Sequence, residues 1–165
     1  MSASVFRTLA LIVALATALS FSGCSKKQKA EEEATPTAPT VEENVLGDSD
    51  SGQALGLQTI HFPYDSFVLS SEAKNNLKSN AAILKDKTSV KIQIEGHCDQ
   101  RGGIQYNIAL GEKRANAVKR YLQDMGVEGS RITTISYGKE RPVDGSFTEE
   151  AFSKNRRANF VITSR

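Results

Sequence analysis

Val90-Lys91-Ile92-Gln93-Ile94-Glu95 runs into Gly96-His97-Cys98-Asp99-Gln100-Arg101-Gly102-Gly103 and then into Ile104-Gln105-Tyr106-Asn107, and the change of period along this stretch decides the fold. Val90, Ile92 and Ile94 alternate with Lys91, Gln93 and Glu95, the period of two expected of a half-buried strand. The octet that follows is polar and rich in glycine, which reads as a loop. From Ile104 to Met125 the residues Leu110, Ala117, Val118, Tyr121, Leu122 and Met125 recur on one face of a helix, and Gly126 ends it.

The rest of the domain falls into place around this unit. Gln58-Thr59-Ile60-His61-Phe62 alternates and stops at Pro63, which cannot donate to a ladder, so a strand ends there. Ser70 or Ser71 caps a helix that carries Glu72 in its first turn and Leu77, Ala81 and Leu84 at helical spacing. Downstream, a strand is predicted over Ile132–Tyr137, a short helix over Glu149–Lys154 and a last strand over Ala158–Thr163. The order β-α-β-α-β-(α)-β predicts an α+β fold, one sheet with helices packed on one face. Periodicity fixes these elements better than it fixes their order in the sheet.

The chain has 165 residues, 39% hydrophobic and 24% charged, enough for one compact domain and too few for a large enzyme. Its 21 Lys and Arg against 19 Asp and Glu give +2, which does not point to nucleic acid as a partner. The balance is uneven. Ser25 to Leu55 is rich in Glu, Thr, Ala, Pro, Ser and Gly and carries three lysines against seven acids, which reads as a flexible linker. Gly56 to Arg165 holds the remaining 17 Lys and Arg against 12 acids, a basic excess. By the random-coil estimate the linker reaches about 30 Å on average and about 100 Å when straight.

Residues 1–23 carry a single charge, Arg7, ahead of an apolar run over Leu9–Leu19. That run is too short for a bilayer core, which needs roughly 20 apolar residues, and small residues follow it, the pattern of a secretory signal. Phe21-Ser22-Gly23-Cys24 resembles the lipobox of bacterial lipoproteins, with Phe21 where Leu is usual. The resemblance implies cleavage before Cys24 and acylation of its sulfur, hence an anchor in a membrane that the chain does not cross. Ser25-Lys26 lacks the Asp that favours inner-membrane retention, so the expected location is the outer membrane with the domain facing the periplasm. Cys98 is the only other cysteine, so no intramolecular disulfide is expected once Cys24 is lipidated.

Three constellations bear on chemistry. His97-Cys98-Asp99 has the residue types of a thiol hydrolase, but neighbours in an extended segment point to opposite sides and cannot form a relay among themselves. His61, His97, Cys98 and Asp99 lack the spacing of a metal site, and neither a metal nor a cofactor is expected. Gly102-Gly103 ahead of a helix could cradle an anion, although such pairs more often mark a plain turn.

The third constellation is larger. Ile94 to Gly102, then Tyr106-Asn107-Ile108-Ala109-Leu110-Gly111-Glu112-Lys113-Arg114-Ala115-Asn116-Ala117-Val118, Ser136-Tyr137-Gly138-Lys139-Glu140-Arg141-Pro142 and Lys154-Asn155-Arg156-Arg157-Ala158 closely resemble the OmpA C-terminal-like domain family and, within it, the peptidoglycan-associated lipoproteins (Pal). The resemblance covers about Thr59 to Thr163, with a lipobox and linker ahead. It implies non-covalent binding of the peptidoglycan stem peptide through meso-diaminopimelate, with Asp99 taking the ammonium and Arg114 the carboxylate. An acceptor-only anion beside a forked cation suits a carbon that bears both charges. It also implies supporting roles for the stretch Phe62 to Asp65 at the end of the first strand, for Asn107 and Leu110, and for Arg156. Four positions depart from the pattern: Pro63 replaces Asp, Phe67 replaces Tyr, Cys98 replaces Thr or Ala, and Gly103 replaces Ser or Thr.

The expected function is therefore an outer-membrane lipoprotein that grips peptidoglycan and tethers the envelope layers without catalysis. By the same resemblance it belongs to the Tol-Pal system of envelope integrity and cell division, with a Tol β-propeller protein and other Tol components as partners. Two other classes compete: a periplasmic thiol-dependent hydrolase of cell-wall peptides using Cys98 and His97, and an adaptor that binds proteins only.

Overall fold

The computed structural model describes residues 45–165, so the signal segment, Cys24 and most of the linker lie outside the described residues. The elements in chain order are β1 (Ile60–His61), α1 (Ser71–Asp86), β2 (Lys91–His97), α2 (Ile104–Asp124), a 3-10 turn (Gly129–Arg131), β3 (Ile132–Gly138), α3 (Glu149–Asn155) and β4 (Arg157–Ser164). Four strands form one sheet in the order β1-β4-β2-β3. β4 runs antiparallel to both β1 and β2. β2 and β3 are parallel, and α2 makes the crossover that a parallel pair requires.

α1 and α2 cover the face bearing Ile60, Ile92, Ile94, Ile132, Ala158, Phe160 and Ile162, with Leu77, Ala81, Leu84, Ala115, Val118 and Leu122 facing them in one core. α1 begins as expected: Ser70 caps it, its side chain accepting from the Ala73 amide. α2 lies exceptionally close to β2. A Cβ on Gly96 would sit 1.9 Å from the carbonyl oxygen of Gly111, and one on Gly111 would sit 2.3 Å from Ser136 Oγ. Two glycines facing each other thus let backbone meet backbone, which brings the first turns of α2 beneath the end of β2.

Three expectations need correction. The first strand was predicted over Gln58–Phe62, but β1 has two residues. Gln58 leaves the ladder because the buried Asn80 takes both of its backbone groups, accepting from its amide and donating to its carbonyl at 2.8 Å each. The linker was predicted to reach Leu55, yet the chain is part of the fold well before that. The Leu46 amide donates to Ile162 O at 2.9 Å, Ile162 donates to Gly47 O at 2.8 Å and Ser49 donates to Phe160 O at 2.9 Å, while Ala54 is fully buried. This strap continues the β1 side of β4, and its polar composition disguised it. Finally, β2 is buried on both faces, Gln93 and Glu95 included. It is a central strand, and the side-chain Nδ2 of Asn159 donates to Glu95 Oε2 at 3.1 Å.

Candidate functional site

The carboxyl end of β2 feeds the loop 98–103, and the side chains of α2 hold that loop. Cys98 donates its amide to Gly138 O at 2.7 Å. Asn107, buried in the first turns of α2, donates to the carbonyls of Arg101 at 2.7 Å and Gly103 at 3.1 Å. Lys139 Nζ reaches Gly102 O at 2.7 Å. Gly102 has φ of +82°, a left-handed turn that glycine adopts without strain. The loop therefore lies back over the start of α2, and Asp99 and Arg114, fifteen residues apart in sequence, line the same open pocket. Tyr64, Asp65, Tyr106, Leu110 and Arg156 line it as well.

Arg114 is fully buried. Its Nε donates to Ser66 O at 2.8 Å, Nη1 to His97 O at 2.7 Å and Nη2 to Pro63 O at 3.1 Å. A guanidinium carries five N–H groups, and these three bonds all go to neutral carbonyls. No ion pair among the described residues includes Arg114. Burial accordingly lowers its pKa, with Cys98, Asp99 and Asp65 acting against that shift. Phe62 stacks beneath the guanidinium, 5.1 Å from carbon to ring centre.

Asp99 is in the opposite situation. Its Oδ1 accepts from the Arg101 amide at 3.1 Å and from Arg101 Nε at 3.2 Å, and its Oδ2 accepts from Arg101 Nη2 at 2.6 Å and Arg156 Nη1 at 3.4 Å. Burial opposes ionisation of Asp99, but these hydrogen bonds and the charge of Arg101 outweigh it and hold the carboxyl below its ordinary value. Arg101 is in turn flanked by the rings of Tyr64 and Phe152, 4.2 and 4.3 Å from its guanidinium carbon. Its Nη1 also reaches Glu149 at 3.3 Å, and Arg156 meets the same carboxylate at 2.9 Å.

Of the residues expected at the site, Asp65, Asp99, Asn107, Leu110, Arg114 and Arg156 line the pocket. Phe62 does not. It is part of the hydrophobic core, and it contributes a ring under Arg114 and a carbonyl that accepts from Arg156 Nε at 3.2 Å. Asp65 stands at positive φ and accepts a hydrogen bond from Tyr106 Oη. Tyr64, within the stretch expected to support the site, lines it too, whereas Arg101, Tyr106 and Glu149 are participants that the sequence reading left without a role. The signal for Arg101 was the Asp99-Gln100-Arg101 spacing, which lets a loop acid and cation two residues apart close on each other.

The residues of the competing chemistries are separated. The Cys98 thiol, pushed up to about 11 by burial, donates to Asn107 O at 3.4 Å. His97 points to the other face of the sheet, with Nε2 3.4 Å from Glu95 and its ring stacked on Tyr137. Among the described residues no group of three His, Cys, Asp or Glu could hold a metal ion, and no helix is long and apolar enough to cross a membrane.

Comparison with known proteins shows the family. A peptidoglycan-associated lipoprotein of Brucella melitensis is 34% identical over 152 residues, which cover 92% of this chain and 90% of that protein. One from Buchnera aphidicola is 44% identical over 103 residues, 62% of this chain, and the chain spans 60% of its length. The crystal structure of the peptidoglycan-associated lipoprotein from Burkholderia pseudomallei superposes with a TM-score of 0.63 at 36% identity, covering 68% of this chain and 96% of that one. Residues 61–156, a stretch that begins in β1 and contains every residue lining the pocket, match the OmpA family, and the chain belongs to that family.

Proposed function

We propose that the pocket binds the stem peptide of peptidoglycan non-covalently through meso-diaminopimelate, and that the chain is an outer-membrane lipoprotein, anchored through Cys24, that ties that membrane to the wall. The observation that carries the reading is Arg114, a wholly buried guanidinium that lines the pocket and, among the described residues, is hydrogen-bonded to three carbonyl oxygens and in direct ion-pair contact with no carboxylate. A buried cation without a counter-ion is costly, and a ligand carboxylate supplies one. Asp99, in the same pocket, supplies the anion for an ammonium on the same carbon. The names of the relatives point the same way. A place in the Tol system, with a Tol β-propeller protein as partner, belongs to this reading by family resemblance. A thiol hydrolase is disfavoured by the raised pKa of Cys98 and the outward turn of His97.

The test is competition. The full chain is bound to sacculi at two ionic strengths and challenged with soluble stem peptides. A diaminopimelate peptide should displace it, and a lysine-type peptide, which lacks the carboxylate, should be at least about ten-fold poorer even at low salt. Equal displacement by both peptides, falling steeply with salt, would leave only a basic surface on a polyanionic wall.

A further inference from the structure

Asp99 is saturated before any ligand arrives. A carboxylate offers about four lone-pair positions, and four N–H donors already occupy them, three from Arg101 and one from Arg156. The carboxylate is 5% exposed, so no further lone pair faces solvent for an incoming ammonium. Arg101 is less constrained. Its side chain is 30% exposed, and its guanidinium carbon lies 4.2 and 4.3 Å from the ring centres of Tyr64 and Phe152, contacts that depend on the cation's place over the rings and not on its bonds to Asp99. Beside Arg101 stands a second acid, Glu149, with a carboxylate that is 62% exposed and already 3.3 Å from Arg101 Nη1.

From this arrangement we infer that Arg101 is a built-in competitor for the ligand: it holds Asp99 in the empty protein, and an arriving ammonium displaces it onto Glu149. The inference rests on the reading of Asp99 as the ammonium's partner and adds what that reading lacks, a route by which Asp99 becomes available. The exchange keeps Asp99 paired throughout, since one cation replaces another on it. It also makes Arg101 and Glu149 determinants of affinity and selectivity. A ligand without an ammonium cannot complete the exchange, and one with an ammonium alone gains nothing at Arg114. No covalent step is involved.

The experiment titrates the full chain, in detergent, with a soluble diaminopimelate stem peptide, and follows the side-chain Nε resonance of Arg101 in parallel. Arg101→Gln removes the competitor and should tighten binding about two- to five-fold, the change that corresponds to a partly exposed ion pair. Arg101→Lys, which keeps the charge without the fork, should fall between Gln and the native residue. Glu149→Gln removes the acceptor for the displaced cation and should weaken binding, and the double variant should resemble Arg101→Gln. The Arg101 resonance should move on addition of peptide and stay in place with a peptide acetylated on that amine. Weaker binding by both Arg101 variants, or an unmoved Arg101 resonance at saturation, overturns the inference. Asp99→Asn separates the two readings: if it leaves binding intact, the assignment of Asp99 itself fails. If it abolishes binding while Arg101→Gln also weakens it, only the competitor falls.

Discussion

Arg114 behaves as a structural centre as much as a ligand contact, and this changes what its removal would do. On the surface of a helix, Arg→Ala costs little. Here it would leave the carbonyls of Pro63, Ser66 and His97 without their donor, and an unsatisfied buried polar group costs about 1–3 kcal/mol. Arg114→Ala should therefore lower the unfolding free energy by several kcal/mol in total if the three carbonyls stay dry, and the urea midpoint with it, as well as weaken peptide binding. Equilibrium unfolding checks it, and a midpoint equal to that of the native chain would show that water replaces the guanidinium at no cost. The same environment explains why the burial of Arg114 could not be read from the helical pattern. Its burial is set by three carbonyls from two other segments, and none of them leaves a mark on the helical pattern around residue 114.

At the scale of elements, the pair Gly96 and Gly111 fixes how closely α2 can lie on β2. Gly111→Ala places a methyl group 2.3 Å from Ser136 Oγ and 2.8 Å from Gly96 O, so the helix must move outward. Overpacking of this kind typically costs about 1–3 kcal/mol, and here it should also lift Asn107 and Arg114 away from the loop, reducing stability and binding together. Denaturation and peptide titration of this one variant check both, and undiminished binding at reduced stability would uncouple the packing from the pocket. Sequence reading placed the start of α1 and the bounds of α2, α3 and the three longer strands within one or two residues, with the firmest footing where an apolar period is joined to a cap or a closing glycine, as at Ser70 and Gly126. It misjudged the buried side of α2. That side carries Asn107, Gly111 and Arg114 along with Ala115, Val118 and Leu122, whereas Leu110, Ala117, Tyr121 and Met125 are only half-buried. A pattern of apolar residues cannot register a polar side chain that is buried in order to hold a loop. The shortness of β1 and the strap escaped for a related reason, since Gln58 is held by Asn80 and the strap by the backbone of β4, both distant in sequence.

The whole molecule should be sensitive to acid, and the sign follows from the face of the sheet turned away from the helices. Burial lowers the pKa of His97, opposed by its hydrogen bond to Glu95 and assisted by the charge of Arg157. His61 is lowered as well, by burial first. A histidine that titrates at about 6.5 when unfolded and lower when folded stabilises the protein fully above that value, and the contribution is lost as pH falls through the folded pKa. Glu95 and Asp99, both held below their ordinary values against burial, add a second loss at more acidic pH. The urea midpoint should thus fall between pH 7.5 and 5.5, and His97→Asn should flatten that part of the curve; a native profile that is level over this range would contradict it. The strap has a mechanical consequence at the same scale. Leu46 pairs with Ile162 near the carboxyl end of β4, whereas the pocket lies at the other end, beside Arg156 and the last residues of β2. A pull entering the domain at residue 45 while a ligand is gripped in the pocket is directed along the strands and across their hydrogen bonds. The bonds from Leu46, Ile162 and Ser49 then carry the load together in shear instead of parting one after another, the geometry in which a short ladder best resists being stretched.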